Sequence, residues 1–297
     1  MADSPQDLHP LRAFWASFCE NRGAVIGFAF VLAIVLMALG AELIAPHGPN
    51  EQFREAVRAA PAWADNGSVR FLLGTDSLGR DLLTRLIYGA RVSLFIGVAV
   101  MGVSFILGVA LGLACVSFKG ALGQAIDVAI TRLMDLVMAV PGLVLAILVV
   151  AVLGPSLTNT IVAVTIVNLP RYVRLVRASA LSELGKDYVT GARVAGVGPA
   201  RLMLFTVLPN CLSPLIVQAA LGVSDAILEA AALGFLGLGA QPPTAEWGTM
   251  LADAREFIRS DPWLVTLPGV AILVTVVSIN LMGDGLRDAL DPKMRRS

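Results

Sequence analysis

The chain is short of the residues that most enzymes use for chemistry. It has only two histidines, His9 and His47, and a long hydrophobic run separates them. No H-E-x-x-H or G-x-S-x-G motif occurs, and no cluster of metal ligands is evident. The pattern G-x-x-x-x-G-K-[ST] is also missing, because Gly185-Lys186 lacks the upstream glycine and is followed by an acid. The sequence therefore indicates no hydrolysis of ATP or of any other substrate, no metal and no bound cofactor. It also disfavours a membrane-embedded hydrolase.

Cysteine and charge are scarce as well. The spacing of Cys19, Cys115 and Cys211 fits neither a disulfide framework nor a zinc site, so we interpret them as small packing residues. Charged residues make up 15% of the chain and apolar residues 57%, whereas soluble domains have roughly 25% charged residues. This composition excludes an ordinary soluble domain, and we expect membrane lipid and no nucleic acid among the partners.

Long apolar runs dominate the sequence. About 20 apolar residues cross a bilayer as a helix, and the run from Ala24 to Ala45 is of this kind. The runs are continuous, whereas the strands of membrane barrels alternate. We therefore predict an all-α integral membrane protein with six transmembrane helices. The other five lie near residues 92–116, 133–153, 157–176, 212–236 and 264–283.

The distribution of basic residues predicts the orientation. With six spans both termini lie on one side, and cytoplasmic loops carry the excess of Lys and Arg. Cytoplasmic termini would place 14 of the 22 basic residues inside. The predicted organisation is a cytoplasmic interfacial segment (1–23), a first span (24–45), an extracytoplasmic loop with an amphipathic helix (46–91), a core (92–286) with a cytoplasmic loop at about 178–209, and a cytoplasmic tail (287–297).

Three local patterns predict finer structure. A stripe before the first span is typical either of an interfacial helix or of an ordinary helix start; it comprises Leu11, Phe14, Trp15 and Phe18. The amphipathic helix should be capped by Asp76 or Ser77, pair Asp81 with Arg85, and stop at Gly89. In the second span, the spacing of Gly108 and Gly112 predicts close packing of two helices.

Several ionisable residues fall in or near the spans, where they default to functional candidates. Asp127, Thr131 and Asp135 share one helix face, which either faces cytoplasmic water or has a function. Asp225 and Glu229 are one turn apart, well inside the fifth span. They indicate a polar stripe that lines a path, with hydrogen bonding between helices as the alternative. Asn168 in the fourth span is a third candidate for the path.

The cytoplasmic stretch from Lys186 to Asn210 predicts two short helices. Asp187 can cap the first helix, and Tyr188, Ala192 and Ala195 would form one face beside the small Gly191. The break follows at Gly196-Val197-Gly198-Pro199, where Pro199 suits a helix start. The second helix should end at Val207, and Leu208-Pro209 should begin the fifth span. A short helix poor in bulky side chains is typical of a docking element.

This stretch resembles the cytoplasmic "EAA" loop of ABC-importer permeases. The triplet is Thr190-Gly191-Ala192, the glycine of the motif is Gly196, and the closing pair is Leu208-Pro209. Thr190, Gly191 and Thr206 depart from the pattern. The segments 73–94, 231–251 and 280–293 resemble C-type permeases of the peptide/nickel importer family, with dipeptide importers as the nearest group.

The resemblance implies a type I importer permease fold with a cytoplasmic coupling helix, in a bacterial inner membrane. The partners would be a second homologous permease subunit, two cytoplasmic ATPases that bind ATP and Mg, and an extracytoplasmic binding protein. The cargo would be dipeptides or short peptides. The ATPase-coupling residues would be Asp187, Tyr188, Thr190, Gly191, Ala192, Gly196, Leu208 and Pro209. The segment 240–250 would lie near the binding protein or the outer gate, or form a structural re-entrant turn.

The competing hypothesis is an ion-coupled secondary transporter. Such proteins place ionisable pairs at mid-membrane, as Asp225 and Glu229 would be, and need no ATPase. The cytoplasmic helix–break–helix argues against it, because an ion-coupled transporter has no need of a docking element.

Overall fold

The computed structural model describes residues 10–118 and 120–290, and in these ranges every regular element is a helix. The predicted segments at 1–9 and 291–297 and the side chain of Leu11 lie outside the described residues. The chain begins with α1 (Pro10–Glu20) and α2 (Arg22–Leu39), and the Asn21 side chain caps α2 by accepting from the Ala24 N–H at 3.1 Å. The turns α3 (Ala41–Ile44) and Arg54–Ala56, a 3₁₀ helix, follow.

The longest helix, α4 (Leu82–Ser117), corrects the prediction for the extracytoplasmic loop. No separate amphipathic helix precedes the span in the described loop, because Asp81 caps α4 directly through the Thr84 N–H at 3.0 Å. The predicted Asp81–Arg85 pair is therefore wrong; Arg85 lies 3.5 Å from Asp76 instead. Gly89 does not stop the helix but lets the Trp247 ring approach, since a Cβ there would lie 2.7 Å from it.

The third predicted span is not one straight helix. It consists of α5 (Gly120–Met138) and α6 (Gly142–Leu153), which meet at an angle of 93°. Pro141 stands at the bend and has no N–H to continue the helix, and it disfavours helical geometry in Val140. The hydrophobic run continues through the bend, which is why composition alone suggested a single span.

The cytoplasmic stretch lies between α7 (Leu157–Leu184) and α10 (Leu208–Phe235). It contains α8 (Asp187–Val194), the turn α9 (Pro199–Arg201) and a π-helical segment, Leu202–Val207. The predicted break after α8 is confirmed, with Gly196 at φ +81°. The predicted end of a second helix at Val207 is wrong, because the chain runs on into α10. Pro209 lacks an N–H, and the wider π turn before it accommodates this loss.

The chain closes with α11 (Trp247–Ala254), the 3₁₀ turn Arg255–Phe257 and α12 (Trp263–Leu290). Phe18 and Ala24 pack against Ala289 at the end of α12. The Ser213 hydroxyl donates to the Leu290 carbonyl at 3.0 Å, so the start of α10 also lies at this end. Both ends of the described chain and the α8 segment therefore lie on one side of the bundle.

The predicted glycine packing is confirmed. A Cβ at Gly112 would lie 2.6 Å from the Val176 Cβ, and one at Gly108 would collide with Tyr172, so these glycines allow α4 and α7 to pack closely.

Within residues 10–118 and 120–290, four helices are long and apolar enough to cross a membrane, or five if α5 and α6 form one span. The remaining predicted span lies in α7, whose asparagines, threonines and arginines make it less apolar than the other four. The six-span count stays a prediction.

Candidate functional site

Val189 is the buried side chain of helix α8. Val189 is fully buried in a cluster that includes Ala180 of α7 and Cys211 of α10. Ala192 packs partly against the same cluster, so it does not share an outer face with Tyr188 and Ala195 as the sequence suggested. Since α8 packs against α7 and against the π-helical segment that leads into α10, a displacement of α8 acts on α7 directly and on α10 through that segment.

The outer surface of α8 is exposed, and no atoms of the described residues crowd its glycines. Thr190, Gly191 and Gly196 are exposed, and nothing lies within 4 Å of a Cβ built on either glycine. Val194 is 84% exposed, which is high for an apolar residue. We name this surface the α8 outer face; it comprises Tyr188, Thr190, Gly191, Arg193, Val194, Ala195 and Gly196.

The start of α8 is fixed by contacts that the sequence did not reveal. Asp187 does not cap the helix; the N-cap position is Lys186, without a side-chain hydrogen bond to the helix, and Asp187 lies in the first turn. The Tyr188 hydroxyl donates to Glu183 at 2.5 Å, and the Lys186 ammonium donates to the other oxygen of Glu183 at 2.6 Å. Burial, together with the hydrogen bond to Glu183, raises the pKa of Tyr188 to about 12. Glu183 thus joins the end of α7 to α8, and only the i, i+3 spacing of Glu183 and Lys186 could have signalled it.

The closing pair of the stretch lies at the first turn of α10. Leu208 packs partly into the cluster around Val189, whereas Pro209 is exposed. The pair therefore marks where the α8 segment passes into the membrane helix.

The three path candidates come together between α7 and α10. The Asn168 amide donates to the Glu229 carboxylate at 2.7 Å, and Arg171 donates to Asp225 at 2.8 Å. The pairs are one turn apart on both helices, and the Asp225 side chain is 44% exposed. The hydrogen bonds between the helices confirm one of the two interpretations from the sequence, whereas a role of these residues in lining a path stays a prediction.

The acidic face of α5 is paired rather than simply facing water. The Arg177 guanidinium donates two bonds of 2.6 Å to Asp127, and Arg174 donates to Asp135 at 2.6 Å. The Thr131 hydroxyl donates to the backbone carbonyl of Asp127. Three arginines of α7, one turn apart, therefore connect α7 to α5 and to α10.

The outer segment 240–250 is mostly buried. Trp247 is 1% exposed, and its indole N–H donates to the Leu86 carbonyl at 3.0 Å. The Glu246 carboxylate caps α11 by accepting from the N–H groups of Gly248 and Thr249 at 2.8 and 2.9 Å. Burial raises the pKa of Glu246 against the effect of these bonds. Pro242 and Pro243 are exposed. Because Trp247 is buried, it is a packing residue of this end of the bundle.

Comparison with known families gives two matches. A model described as "Binding-protein-dependent transport system inner membrane component" matches residues 104–296. A second, "N-terminal TM domain of oligopeptide transport permease C", matches residues 9–61.

Individual proteins are similar over nearly the whole chain. The "Di/tripeptide transport system permease protein DppC" of Pseudomonas aeruginosa is 56% identical, over 97% of this chain and 94% of that protein. The "Dipeptide transport system permease protein DppC" of Haemophilus influenzae is 50% identical over the full length of both chains, and that of Escherichia coli K12 is 54% identical over 99% and 96%.

Among solved structures, the MetNI methionine ABC transporter in an inward-facing crystal form matches with a TM-score of 0.58. The match covers 71% of this chain and 98% of that chain at 18% identity. It establishes the all-helical permease fold.

Proposed function

Because the chain belongs to the family of inner-membrane components of binding-protein-dependent transport systems, we propose that it moves dipeptides or short peptides into the cytoplasm as a permease subunit of an ATP-driven importer. It hydrolyses no ATP itself. The peptide cargo is supported by relatives of 50 to 56% identity that carry dipeptide or di/tripeptide transport names.

The observation that carries the coupling role is the open outer face of α8. A partner ATPase can approach the helix backbone closely at Gly191, and Val194 offers it an apolar contact. Val189 passes the displacement of α8 to α7 and α10, which carry the Arg171–Asp225 and Asn168–Glu229 pairs. ATP binding to the partners thereby changes the relative stability of the two access states of the path.

The assembly consists of this chain, a second homologous permease subunit, two cytoplasmic ATPases that hold ATP and Mg, and an extracytoplasmic binding protein. The protein lies in the bacterial inner membrane with both termini and α8 in the cytoplasm. This orientation fits the excess of basic residues and the shared side of the termini and α8.

Family membership favours this assignment over an ion-coupled transporter. In addition, Asp225 and Glu229 each accept a hydrogen bond from a side chain of α7, which is typical of residues that hold two helices together.

Transport by the reconstituted assembly tests the proposal. The chain would be purified with its native partners, placed in proteoliposomes and given binding protein and a labelled dipeptide. We expect uptake that requires ATP and survives a protonophore. Uptake that is abolished by the protonophore and indifferent to ATP would contradict the importer assignment.

A further inference from the structure

A cavity of about 470 Å³ lies below the Arg171–Asp225 pair, toward the end of the bundle that holds α8 and the termini, between α7, α10 and α12. Four apolar residues, Leu175, Pro214, Val217 and Leu221, line it together with the polar Ser213, Gln218 and Arg287. Its size falls in the usual range for small-molecule sites, about 300–1,000 Å³. None of the sequence patterns singled out Gln218, Ser213 or Arg287.

The cavity continues the polar stripe. Asp225, Leu221 and Gln218 follow one another at spacings of four and three residues, so they share one face of α10. Leu175 is one turn after Arg171 on the facing helix. A molecule released from the level of Asp225 toward the cytoplasm therefore meets this cavity next.

Arg287 is the charged residue in the lining of the cavity. Arg287 lies in the last turn of α12, and none of the ion pairs formed by the described residues involves it. Asp288, its neighbour in sequence, is engaged by the Asn21 amide at 3.2 Å. The Ser213 hydroxyl already donates to the Leu290 carbonyl, so the donors left for a ligand are the Arg287 guanidinium and the Gln218 side-chain amide, which are suited to a carboxylate.

The spacing of Asp225 and Gln218 along α10 is close to the length of a short peptide. Asp225 and Gln218 are seven residues apart, which is about 10.5 Å along a helix. Two or three extended residues span about 7 to 10 Å. The Asp225 carboxylate uses one oxygen for Arg171 and is half-exposed, so it can also receive an ammonium group.

We propose that the Gln218–Ser213–Arg287 cavity binds the C-terminal carboxylate of the transported peptide while the peptide's amino group lies near Asp225. The cavity is then the cytoplasmic-side half of a transient peptide site. This inference rests on the proposed peptide cargo.

Equilibrium binding of peptides to the transporter, measured without the binding protein, tests this inference. The complete transporter would be placed in nanodiscs of zwitterionic lipid, and the ligands would be Ala-Phe and its C-terminal amide, Ala-Phe-NH₂. We expect the acid to bind about tenfold more tightly than the amide, as the loss of one charge-assisted contact implies. Arg287→Gln should remove this preference, and Arg287→Lys should keep most of it. The matched control is Arg132→Gln, since Arg132 is 79% exposed on α5 and should leave the preference unchanged.

Three results would overturn the inference: the unaltered transporter binds acid and amide equally, it binds neither, or Arg287→Gln retains the preference. Anionic lipid in place of the zwitterionic lipid should not affect the preference. If it removes the preference, Arg287 serves lipid headgroups instead. ATP-driven uptake of Ala-Phe, measured with binding protein after the same purified transporter is placed in proteoliposomes, separates this inference from the proposed function. If uptake occurs but the acid binds no more tightly than the amide, only this inference is contradicted. If no uptake occurs, the peptide-importer assignment is contradicted.

Discussion

The Arg171 guanidinium donates to the Asp225 carboxylate at 2.8 Å and joins α7 to α10 in the interior of two predicted spans. An isolated charge at mid-membrane costs several kcal/mol, and pairing reduces this cost. Both side chains are nearly half-exposed, so the pair is not sealed inside the subunit. It presents a polar surface on a face that the described residues leave open.

Asp225→Asn should lower ATP-driven uptake by about tenfold, because it leaves Arg171 without its carboxylate in the proposed path. The rate would be measured in proteoliposomes and divided by the amount of inserted protein. Asp127→Asn is the matched control. It breaks the two-bond pair with Arg177 between α5 and α7, so it should reduce the yield of inserted protein more than the rate per molecule. Equal and negligible effects of both variants would remove Asp225 from the path.

Gly196→Ala should uncouple transport while the protein stays in the membrane. Gly196 has φ +81° with no neighbour within 4 Å, so alanine suffers backbone strain of about 1–2 kcal/mol rather than a collision. The result should be a displaced α8 and weaker copurification of the ATPases. Gly198→Ala is the control, since Gly198 has equally open surroundings but a φ of −64°, which alanine adopts without strain. Normal ATPase copurification with Gly196→Ala would contradict a role for the α8 geometry.

Gly112→Ala should destabilise the α4–α7 contact by about 1–3 kcal/mol, the usual cost of overpacking. A Cβ at this position would lie 2.6 Å from the Val176 Cβ. Gly102→Ala in the same helix meets nothing within 4 Å and should be neutral or slightly stabilising. Thermal unfolding of the purified assembly in detergent compares the two. Equal melting temperatures would show that α4 and α7 do not pack this closely.

Tyr188 should ionise only at about pH 12, above the ordinary tyrosine value of 10.0. Since the folded state raises this pKa, the contribution of Tyr188 to stability is complete below pH 10.0 and disappears as the pH rises toward about 12. Ultraviolet difference titration against Tyr188→Phe would isolate its ionisation. Glu183→Gln should shift the ionisation to lower pH, because the acceptor that holds the proton is then neutral. An unchanged titration in Glu183→Gln would argue against the contact between α7 and α8.

Sequence patterns predicted the structure correctly where a local rule determines it. The apolar runs placed the main membrane helices, and Gly196 marked the break after α8 because a left-handed residue there favours glycine. The spacing of Gly108 and Gly112 located the close contact with α7.

Ion pairs between side chains of different helices could not be predicted from the sequence in the same way. The pairing of Asp127 with Arg177 and of Asp225 with Arg171 depends on the register of α7 against two other helices, which no periodicity within one helix determines. The bend at Pro141 was missed because the apolar run continues through it. The capping of α4 by Asp81 was missed because Leu78 lies one helical turn before Leu82 and so suggested an earlier helix start.

The central claim is that a separate ATPase binds the α8 outer face, and site-specific cysteine crosslinking tests it most directly. Val194→Cys would be introduced into a Cys19→Ser background, because Cys19 is exposed whereas Cys115 and Cys211 are buried. Leu43→Cys is the control, since Leu43 is 91% exposed on α3, beyond the far end of α2. We expect a short bifunctional reagent to join Val194→Cys, and not Leu43→Cys, to an ATPase subunit in native membranes. If Val194→Cys captures no ATPase while uptake by the same variant remains normal, α8 is not the docking element.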